Sequence, residues 1–276
     1  MAKKKKVKTR KKNKVSIDEL NAYRSAYGNE LQKKDYFTYV LVPGILFLAF
    51  GTILLYNPIV SFVMFVIGVA YGWLYFLPKS VRKHYDKMGM DQRNKFINNM
   101  TQVMTDPSKT VLEALSSVTM RAEGEFKDDL MRLQAGLFGS HKDGIRFSIQ
   151  EISDKYEDDI VFTQYIEQIE TAALEGNSNI DTLKDIKEYH NQMKVKQDNY
   201  ETLKKSHLDD MKVMAFTITA FILALTFSFG FETYIRAFAH TLVGYGTCGL
   251  YLLILGFFFK QFSTYLFDDS VTSISS

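Results

Sequence analysis

The stretch YFTYVLVPGILFLAFGTILLY at residues 36–56 is followed, after Asn57, by PIVSFVMFVIGVAYGWLYFL at residues 58–77, and neither run contains a charged residue. Each run has the roughly 20 residues that a helix needs to cross a bilayer core about 30 Å thick. Because only Asn57 separates the two runs, there is no room for a domain between them. The pattern therefore predicts two membrane-spanning helices joined as a hairpin.

Two further uncharged runs lie towards the other end of the chain, at Val213–Phe231 and Phe238–Phe259. A short connection joins them, in which Glu232 and Arg236 stand at i, i+4 and are expected to form an exposed pair at a helix end. One such run could be a helix buried in a large soluble core, but four runs of spanning length in 276 residues argue against that alternative. We predict an all-α polytopic membrane protein with four spans, in hairpins at residues 36–77 and 213–260.

Lysine and arginine are distributed unevenly along the chain. Nine of the 34 fall within residues 1–15, and without those nine the formal net charge changes from +3 to −6. Basic residues that flank a span mark its cytoplasmic side. Together with the tail, nine basic residues near the span ends fall on one side: Lys33, Lys34, Lys79, Arg82, Lys83, Lys87, Lys204, Lys205 and Lys212. We therefore expect a multi-pass cell-membrane protein with both termini, residues 1–35 and 261–276, in the cytoplasm.

The basic tail at residues 1–15 is attracted to anionic lipid, at about 1 kcal/mol per charge close to the surface. Nucleic acid is the alternative partner, but the tail lacks interleaved aromatic residues and is tethered to a membrane. We therefore expect anionic membrane lipid as a partner and no nucleic acid. Ser16 and Glu19 then form a capping-box pattern that opens a short helix ending near Gly28.

The segment 78–212 between the two hairpins contains 20 Lys and Arg against 24 Asp and Glu. Its apolar residues recur at helical spacing, and Thr110 with Glu113 forms a second capping-box pattern. Gly139 and Gly176 mark helix ends. The segment therefore predicts a cytoplasmic bundle of six helices. The first five carry, in order, stripes at Phe96–Met104, Val111–Val118, Phe126–Leu137, Ile145–Ile152 and Phe162–Ala173.

The sixth helix has two possible lengths. No Gly or Pro occurs from Asn177 to Phe229, so a helix capped by Ser178 or Asn179 could run about 50 residues into the third apolar run. The alternative is a break near residues 207–212. Both remain open at this point, and the continuous helix would couple movement of the bundle to movement in the membrane.

The sequence contains no recognisable catalytic constellation. Residues 139–144 read GSHKDG and lack the Gly-Lys-Ser/Thr ending of a phosphate-binding loop. A single cysteine, Cys248, excludes an internal disulfide and a cysteine-based zinc site, and we expect it to pack between helices. His207 and Asp210 at i, i+3 are too few ligands for a metal. We expect no enzyme activity, no metal and no cofactor. The apolar runs also lack the acids, bases or Gly/Pro-broken pairs that mark transport pathways.

Two local stretches carry a resemblance to a known family. Leu112, Glu113, Ala114 and Leu115, after Asp-Pro-Ser at 106–108, are similar to the "G-x-x-L-x-x-A-L" entry to the second helix of the type II secretion F-domain family, without its usual glycine. Residues 172–183, AALEGNSNIDTL, are similar to that family's "G-x-x-G-N-L-x-E-x-L" stretch, with one glycine retained. The matching positions there are Gly176, Asn179, Asp181 and Leu183. The layout of the whole chain resembles the Tad-type pilus platform proteins of this family.

The resemblance implies a platform protein in the inner or cytoplasmic membrane, at the base of a type II secretion or Tad-like type IV pilus machine. Such a protein has no catalytic activity. Its implied partners are a hexameric cytoplasmic ATPase, pilin-like subunits, and a second copy or a paralogous platform protein. Two alternatives come from other classes: a small-molecule transporter or channel, and a membrane-anchored signalling scaffold.

Overall fold

The structure is a computed structural model that describes residues 16–139, 141–176 and 179–266. Throughout these ranges the regular elements are helices, and no strand occurs. Three of the helices are long and apolar enough to cross a membrane, and a bent pair near the end of the described chain raises the number to four if it counts as one span. The basic tail at residues 1–15, Ser178 and most of the predicted C-terminal tail lie outside the described residues.

Helices α1 (Ile17–Ser25), α2 (Lys33–Leu55) and α3 (Pro58–Met104) form the first part of the fold. Ser16 caps α1 by accepting from the Glu19 amide at 3.1 Å, but the Glu19 carboxylate bonds Arg82 instead of completing the capping box. Tyr56, in the left-handed conformation with φ of 48°, ends α2. The Asn57 side chain then accepts from the Ile59 amide at 3.0 Å and starts α3, so the predicted hairpin is present.

Glycines allow α2 and α3 to lie close together. A Cβ added at Gly68 would meet the Pro43 carbonyl oxygen at 2.8 Å, and one at Gly72 would meet the Tyr39 carbonyl oxygen at 2.6 Å. Small residues at such crossings let two apolar helices pack backbone to backbone. Helix α3 then continues for 47 residues through the predicted boundary at 77/78 without interruption. A π-helical turn at Gly72–Phe76 precedes Pro78, which sits in the first turn of the following α-helical part.

Four shorter helices follow α3: α4 (Val111–Thr119), α5 (Gly124–Leu137), α6 (Lys142–Lys155) and α7 (Ile160–Glu175). Together with the end of α3 and the start of α8 they surround one hydrophobic core. Phe96 lies at its centre, with ring centroids 5.7 Å from Phe126 and 6.0 Å from Phe162. The five apolar stripes read from the sequence all contribute to this core, and Leu183 of α8 joins them.

The bundle has two ends. Gln92 on α3 bonds Glu123, just before α5, at 3.3 Å, and Arg93 bonds Asp159, just before α7, at 2.7 Å. The connections after α4 and α6 therefore lie beside the part of α3 that leads to its apolar run, and we call this the proximal end. Because the helices alternate in direction, the connections after α3, α5 and α7 lie at the opposite end, the distal end.

Helix α8 (Ile180–Phe229) is a single α-helix of 50 residues, about 75 Å long at 1.5 Å per residue. Asn179 caps it by accepting from the Thr182 amide at 3.2 Å. The helix passes through residues 207–212 without a break. The continuous alternative for the sixth helix is therefore confirmed.

The fourth apolar run differs from the expectation of an uninterrupted span. Its first two residues end α9 (Phe231–Ala239), a helix formed mainly by the stretch predicted as a short connection, and the rest lies in α10 (Leu242–Leu266), which meets α9 at an angle of 80°. Thr241 accepts from the Gly244 amide at 3.2 Å and so caps α10. The two residues at the break are His240 and Thr241, so the break is not of the Gly/Pro kind that the sequence analysis considered.

Candidate functional site

Helices α3 and α8 lie antiparallel and are joined by polar contacts at successive levels. Lys83 bonds Glu201 at 2.7 Å near the apolar runs, and Asp91 bonds Lys194 at 2.5 Å two turns further along α3. Burial disfavours both charged forms, yet the pKa of Glu201 is lowered and that of Lys194 is raised because the opposite charges outweigh burial. These pairs fix the register between the two long helices.

A cluster of side-chain amides continues this series of contacts between α3 and α8 towards the bundle core, and we call the whole series the polar ladder. Asn98 Nδ2 donates to Asn191 Oδ1 at 2.9 Å, and Asn191 Nδ2 donates back to Asn98 Oδ1 at 3.0 Å. Asn94, which is buried, donates a further hydrogen bond to Asn191 Oδ1 at 2.9 Å. Buried amides are costly unless they are bonded, so these side chains hold α3 and α8 together in one register.

His190 is the most enclosed polar residue of the ladder, with 1% of its surface exposed. Asn94 Nδ2 lies 3.0 Å from His190 Nδ1 and donates to it, so Nε2 is the ring nitrogen that can donate. His190 Nε2 points towards Asp159 Oδ2 at 3.6 Å, beyond hydrogen-bonding distance. The ring thus lies between the amide cluster and the start of α7.

Asp159 links α7 to both long helices. Its side chain caps α7 by accepting from the Phe162 amide at 3.1 Å, and it accepts from Arg93 Nε at 2.7 Å. Burial would raise the pKa of the Asp159 carboxyl, but the neighbouring His190 ring and the Arg93 guanidinium outweigh burial and hold that pKa well below its usual range. The start of α7 is therefore tied to α3 and lies against α8 at the proximal end.

A cleft of about 470 Å³ opens beside these residues, between α3, α8 and the α6–α7 connection. Lys155, at the end of α6, reaches Glu125 at 2.5 Å and Asp129 at 2.6 Å, and Tyr156 donates to Asp129 at 2.7 Å. Burial and the Asp129 carboxylate both raise the pKa of Tyr156, and burial raises that of Tyr27 on the opposite wall to about 12. These side chains brace the proximal end of the bundle.

The two apolar hairpins are joined at the end far from the bundle. Tyr234 donates to the Leu54 carbonyl at 3.2 Å, and His240 Nε2 lies 3.1 Å from the Leu55 carbonyl. Both carbonyls belong to the last turn of α2, where no helix partner remains. Asn57 also donates to the Tyr245 hydroxyl at 3.0 Å. We call these contacts the outer clasp.

An apolar cavity of about 550 Å³ lies next to the outer clasp, between α2, α8, α9 and α10. Cys248 lines it and packs with Leu54 and Leu55, which agrees with the packing role expected for this cysteine. His207 and Asp210 stand 4.0 Å apart on an exposed face of α8. No group of three potential metal ligands occurs within residues 16–139, 141–176 and 179–266.

The first group of residues that carried the family resemblance serves the start of α4. Glu113 and Thr110 form both bonds of the capping box, at 3.0 and 3.2 Å. Ala114 and Leu115 are fully buried in the bundle core, and Leu112 packs against it. These residues start a helix and fill the core, and they line neither the cleft nor the apolar cavity.

The second group lies at the connection between α7 and α8. Gly176 ends α7 with φ of 70°, a conformation that favours glycine, and Asn179 caps α8. Leu183 is buried in the core, while Asp181 is exposed and lies 3.5 Å from Lys184. Both groups therefore lie at the distal end of the bundle, away from the polar ladder.

Sequence reasoning did not identify the polar ladder or the outer clasp. A signal for the ladder is present, because Asn94 and Asn98 stand at i, i+4 on a helix whose apolar stripe begins beside them. The partner, Asn191, is 93 residues from Asn98 along the chain, and nothing local relates the two.

The chain is similar to a protein of Bacillus anthracis named uncharacterized protein pXO2-23, with 44% identity over 269 residues that cover 98% of this chain and 97% of the other. No protein-family model matches the chain. No solved structure matches it.

Proposed function

The chain belongs to the same family as the Bacillus anthracis protein pXO2-23, and we propose that it is a cell-membrane platform protein of a type II secretion or Tad-like type IV pilus machine. In this proposal the bundle receives motion from a cytoplasmic hexameric ATPase. The apolar hairpins pass that motion to pilin-like subunits in the membrane. The chain itself catalyses no reaction, and it works as a dimer with a second copy or with a paralogue.

The observation that carries the proposal is the continuity of α8. One helix starts at the distal end of the bundle, runs past the polar ladder and ends at the far side of the third apolar run. Helix α3 runs beside it in the opposite direction and is continuous over 47 residues. Two rigid helices that share one register are suited to transmitting displacement from one end of the molecule to the other.

The proposed arrangement in the membrane has four spans with both termini in the cytoplasm. Helix α10 supplies the fourth span by itself, since its 25 residues exceed the roughly 20 that a bilayer core requires. Helix α9 then lies across the membrane surface at the outer clasp. The basic residues at the bundle ends of the spans support this orientation.

A transporter is the second candidate, because the bend of 80° between α9 and α10 resembles the broken helices of transporter sites. The position of the bend argues against it. His240 contacts the end of α2, so the break lies level with the turn between α2 and α3 and not at the middle of a span. Purified protein in vesicles that moved a solute across the bilayer would favour the transporter instead.

The test of the platform proposal is a comparison of two proline substitutions in α8. Ile180 is the first residue of the helix, where proline is tolerated. Met193 lies in its interior, beside the ladder, where proline costs about 3 kcal/mol or more of helix stability. In cells that contain each variant at equal level, export or surface assembly of pilin-like subunits should be lost with Met193→Pro and nearly normal with Ile180→Pro.

Two results would contradict the proposal. If the Met193→Pro protein is abundant and fully active, α8 does not transmit motion and the proposal fails. ATP hydrolysis by the purified wild-type protein without a partner would contradict the statement that it is not an enzyme.

A further inference from the structure

The apolar cavity beside the outer clasp, with a volume of about 550 Å³, has the size of a ligand site. Pockets for small ligands usually measure roughly 300–1,000 Å³. A cavity with an apolar wall excludes water, and an empty cavity lowers stability in proportion to its volume. The cavity therefore favours an apolar occupant.

The cavity is long and follows α8. That helix contributes Ile218, Phe221, Ile222, Leu225 and Phe229 to the wall, and their spacing places them on one face of the helix. From Ile218 to Phe229 the distance along the axis is about 16 Å at 1.5 Å per residue. A bilayer core about 30 Å thick has leaflets of about half that depth. The cavity is therefore as long as one leaflet is deep.

Helix α9 lies across the end of the cavity at the outer clasp. Its residues Tyr234, Ala237 and Phe238 line the cavity. Glu232 and Arg236 stand at i, i+4 on its other face, and their side chains are 83% and 80% exposed. In the proposed arrangement with four spans, the charged face of α9 meets water and its apolar face covers the cavity. The cavity then lies in the leaflet at the outer clasp.

The chemistry of the wall selects hydrocarbon. The Tyr234 hydroxyl donates to the Leu54 carbonyl oxygen at 3.2 Å, and the Thr247 hydroxyl donates to the Val243 carbonyl oxygen at 2.8 Å. Both hydroxyl groups are therefore already bonded within the protein. No charged side chain occurs among the described residues that line the cavity, so a charged ligand would have no counter-charge there.

The wall is closed on one side and open on another. Leu54 and Cys248 are buried, whereas Phe221 and Phe229 on α8 are 64% and 65% exposed. A molecule in the surrounding membrane can therefore enter the cavity sideways, past α8. A spanning helix of another protein would instead meet α9, which runs at 80° to α10.

We propose that the apolar cavity binds one acyl chain of a membrane phospholipid from the leaflet at the outer clasp. This inference rests on the proposed membrane arrangement and is independent of the platform role. The acyl chain lies along α8 and packs against α2 and α10. It thus completes the packing between the two hairpins.

Native mass spectrometry of the full-length chain tests the site. The protein is purified in a steroid-based detergent, whose rigid rings do not imitate an alkyl chain, and is then incubated with palmitoyl-oleoyl phosphatidylglycerol. Leu225→Trp fills the cavity from α8, and Ala224→Trp is the matched control, because Ala224 is exposed on another face of the same helix. We expect one phospholipid on each wild-type and Ala224→Trp chain, with at least tenfold lower occupancy in Leu225→Trp.

The single cysteine of the chain gives a second measurement. Cys248 lines the cavity, so a bound acyl chain covers its thiol. The same phosphatidylglycerol should slow the reaction of Cys248 with N-ethylmaleimide at least tenfold in the wild-type and Ala224→Trp proteins. In Leu225→Trp the reaction should be slow with or without lipid. Circular dichroism checks that each variant keeps the helix content of the wild-type protein.

Three results would overturn the site. The first is a wild-type protein that retains no phospholipid and whose Cys248 reacts equally fast with and without it. The second is equal occupancy in wild type and folded Leu225→Trp, which would place the lipid elsewhere. The third is a lipid-free dimer that Leu225→Trp dissociates, which would make a second copy the occupant. If Leu225→Trp does not fold, protection of Cys248 by lipid in the wild-type protein decides.

None of these results bears on the platform function, which the proline variants of α8 test separately.

Discussion

Asn98 and Asn191 exchange two amide hydrogen bonds, one in each direction at 2.9 and 3.0 Å, although 93 residues separate them in the chain. Each side chain is both donor and acceptor to the other, and Asn94 adds a further hydrogen bond to each of them. The pair lies where α3 and α8 leave the bundle core. It therefore fixes the register in which the two long helices run towards the membrane.

The first prediction concerns Asn191→Ala. This change removes one of the two acceptors of the buried Asn94 amide and the donor to Asn98 Oδ1, whereas Asn98 Nδ2 keeps the Asn94 carbonyl oxygen at 2.8 Å. Leaving a buried amide group unpaired costs about 1–3 kcal/mol. Urea unfolding of the detergent-solubilised protein, followed by circular dichroism, should show that loss. Gln192→Ala is the control, since Gln192 is exposed and bonds only Glu188 at 3.4 Å, and it should change stability by less than about 0.5 kcal/mol. If the two changes lowered stability equally, the amide cluster would have no structural role of its own.

The second prediction concerns Asp159 and pH. The pKa of this carboxyl in the folded protein is held below its ordinary value of about 3.9. The charged carboxylate therefore stabilises the fold at pH values above about 3.9, and that stabilisation is lost as the pH falls below this value towards the folded-state pKa. Asp159→Asn should be less stable at pH 7 by about 3–5 kcal/mol, because it leaves Arg93 largely buried without its partner.

The difference in free energy of unfolding between the wild-type and Asp159→Asn proteins should become smaller as the pH falls below about 4. Thermal unfolding at several pH values measures it. The neighbouring and exposed Asp158→Asn is the control, and its stability should follow that of the wild-type protein at every pH. A constant difference between wild type and Asp159→Asn from pH 7 to pH 2 would contradict the assignment.

The third prediction contrasts two glycines in apolar helices. A Cβ at Gly68 would meet backbone atoms of α2, the Pro43 carbonyl oxygen at 2.8 Å and Gly44 Cα at 2.9 Å, whereas one at Gly246 would meet nothing within 4 Å. Gly68→Val should therefore separate α2 from α3 and cost about 1–3 kcal/mol. Gly246→Val should be tolerated. The aggregation temperature of each variant in detergent distinguishes them, and similar temperatures would mean that the α2–α3 contact is not tight.

The sequence predicted most of the helices because their signals are local. Apolar runs and stripes at helical spacing marked the spans and the bundle, and the Thr110–Glu113 capping box formed with both of its bonds. Ser16 and Glu19 have the same pattern, but Glu19 bonds Arg82 from another helix. A capping motif can be read from four residues, whereas a competing partner 63 positions away cannot.

The candidate site could not be predicted, because its contacts join segments that are far apart in the sequence. The polar ladder depends on the register between α3 and α8, and the bend at His240 depends on a carbonyl at the end of α2. Both are set by contacts between distant segments. The residues singled out from the sequence, such as Leu115 and Asn179, proved to be core and cap residues, which every helical bundle requires.

The fourth prediction concerns orientation. In a Cys248→Ser background, a cysteine in place of Asn57 should react with a membrane-impermeant maleimide in intact cells. A cysteine in place of Met120 should react only after the membrane is opened. The reasons are that Asn57 lies at the outer clasp and Met120 in the bundle, and that the proposed orientation, based on the basic residues at the span ends, has the bundle in the cytoplasm. The reverse labelling pattern would invert the whole topology.

The contacts of the outer clasp can form only after α9 and α10 have been synthesised. The carbonyls of Leu54 and Leu55 receive their hydrogen bonds from Tyr234 and His240, which the ribosome adds about 180 residues later. Until then these two carbonyl oxygens lack the protein partners that the complete chain gives them. A chain truncated before α9 therefore leaves the turn between α2 and α3 without the contacts that hold it in the complete protein.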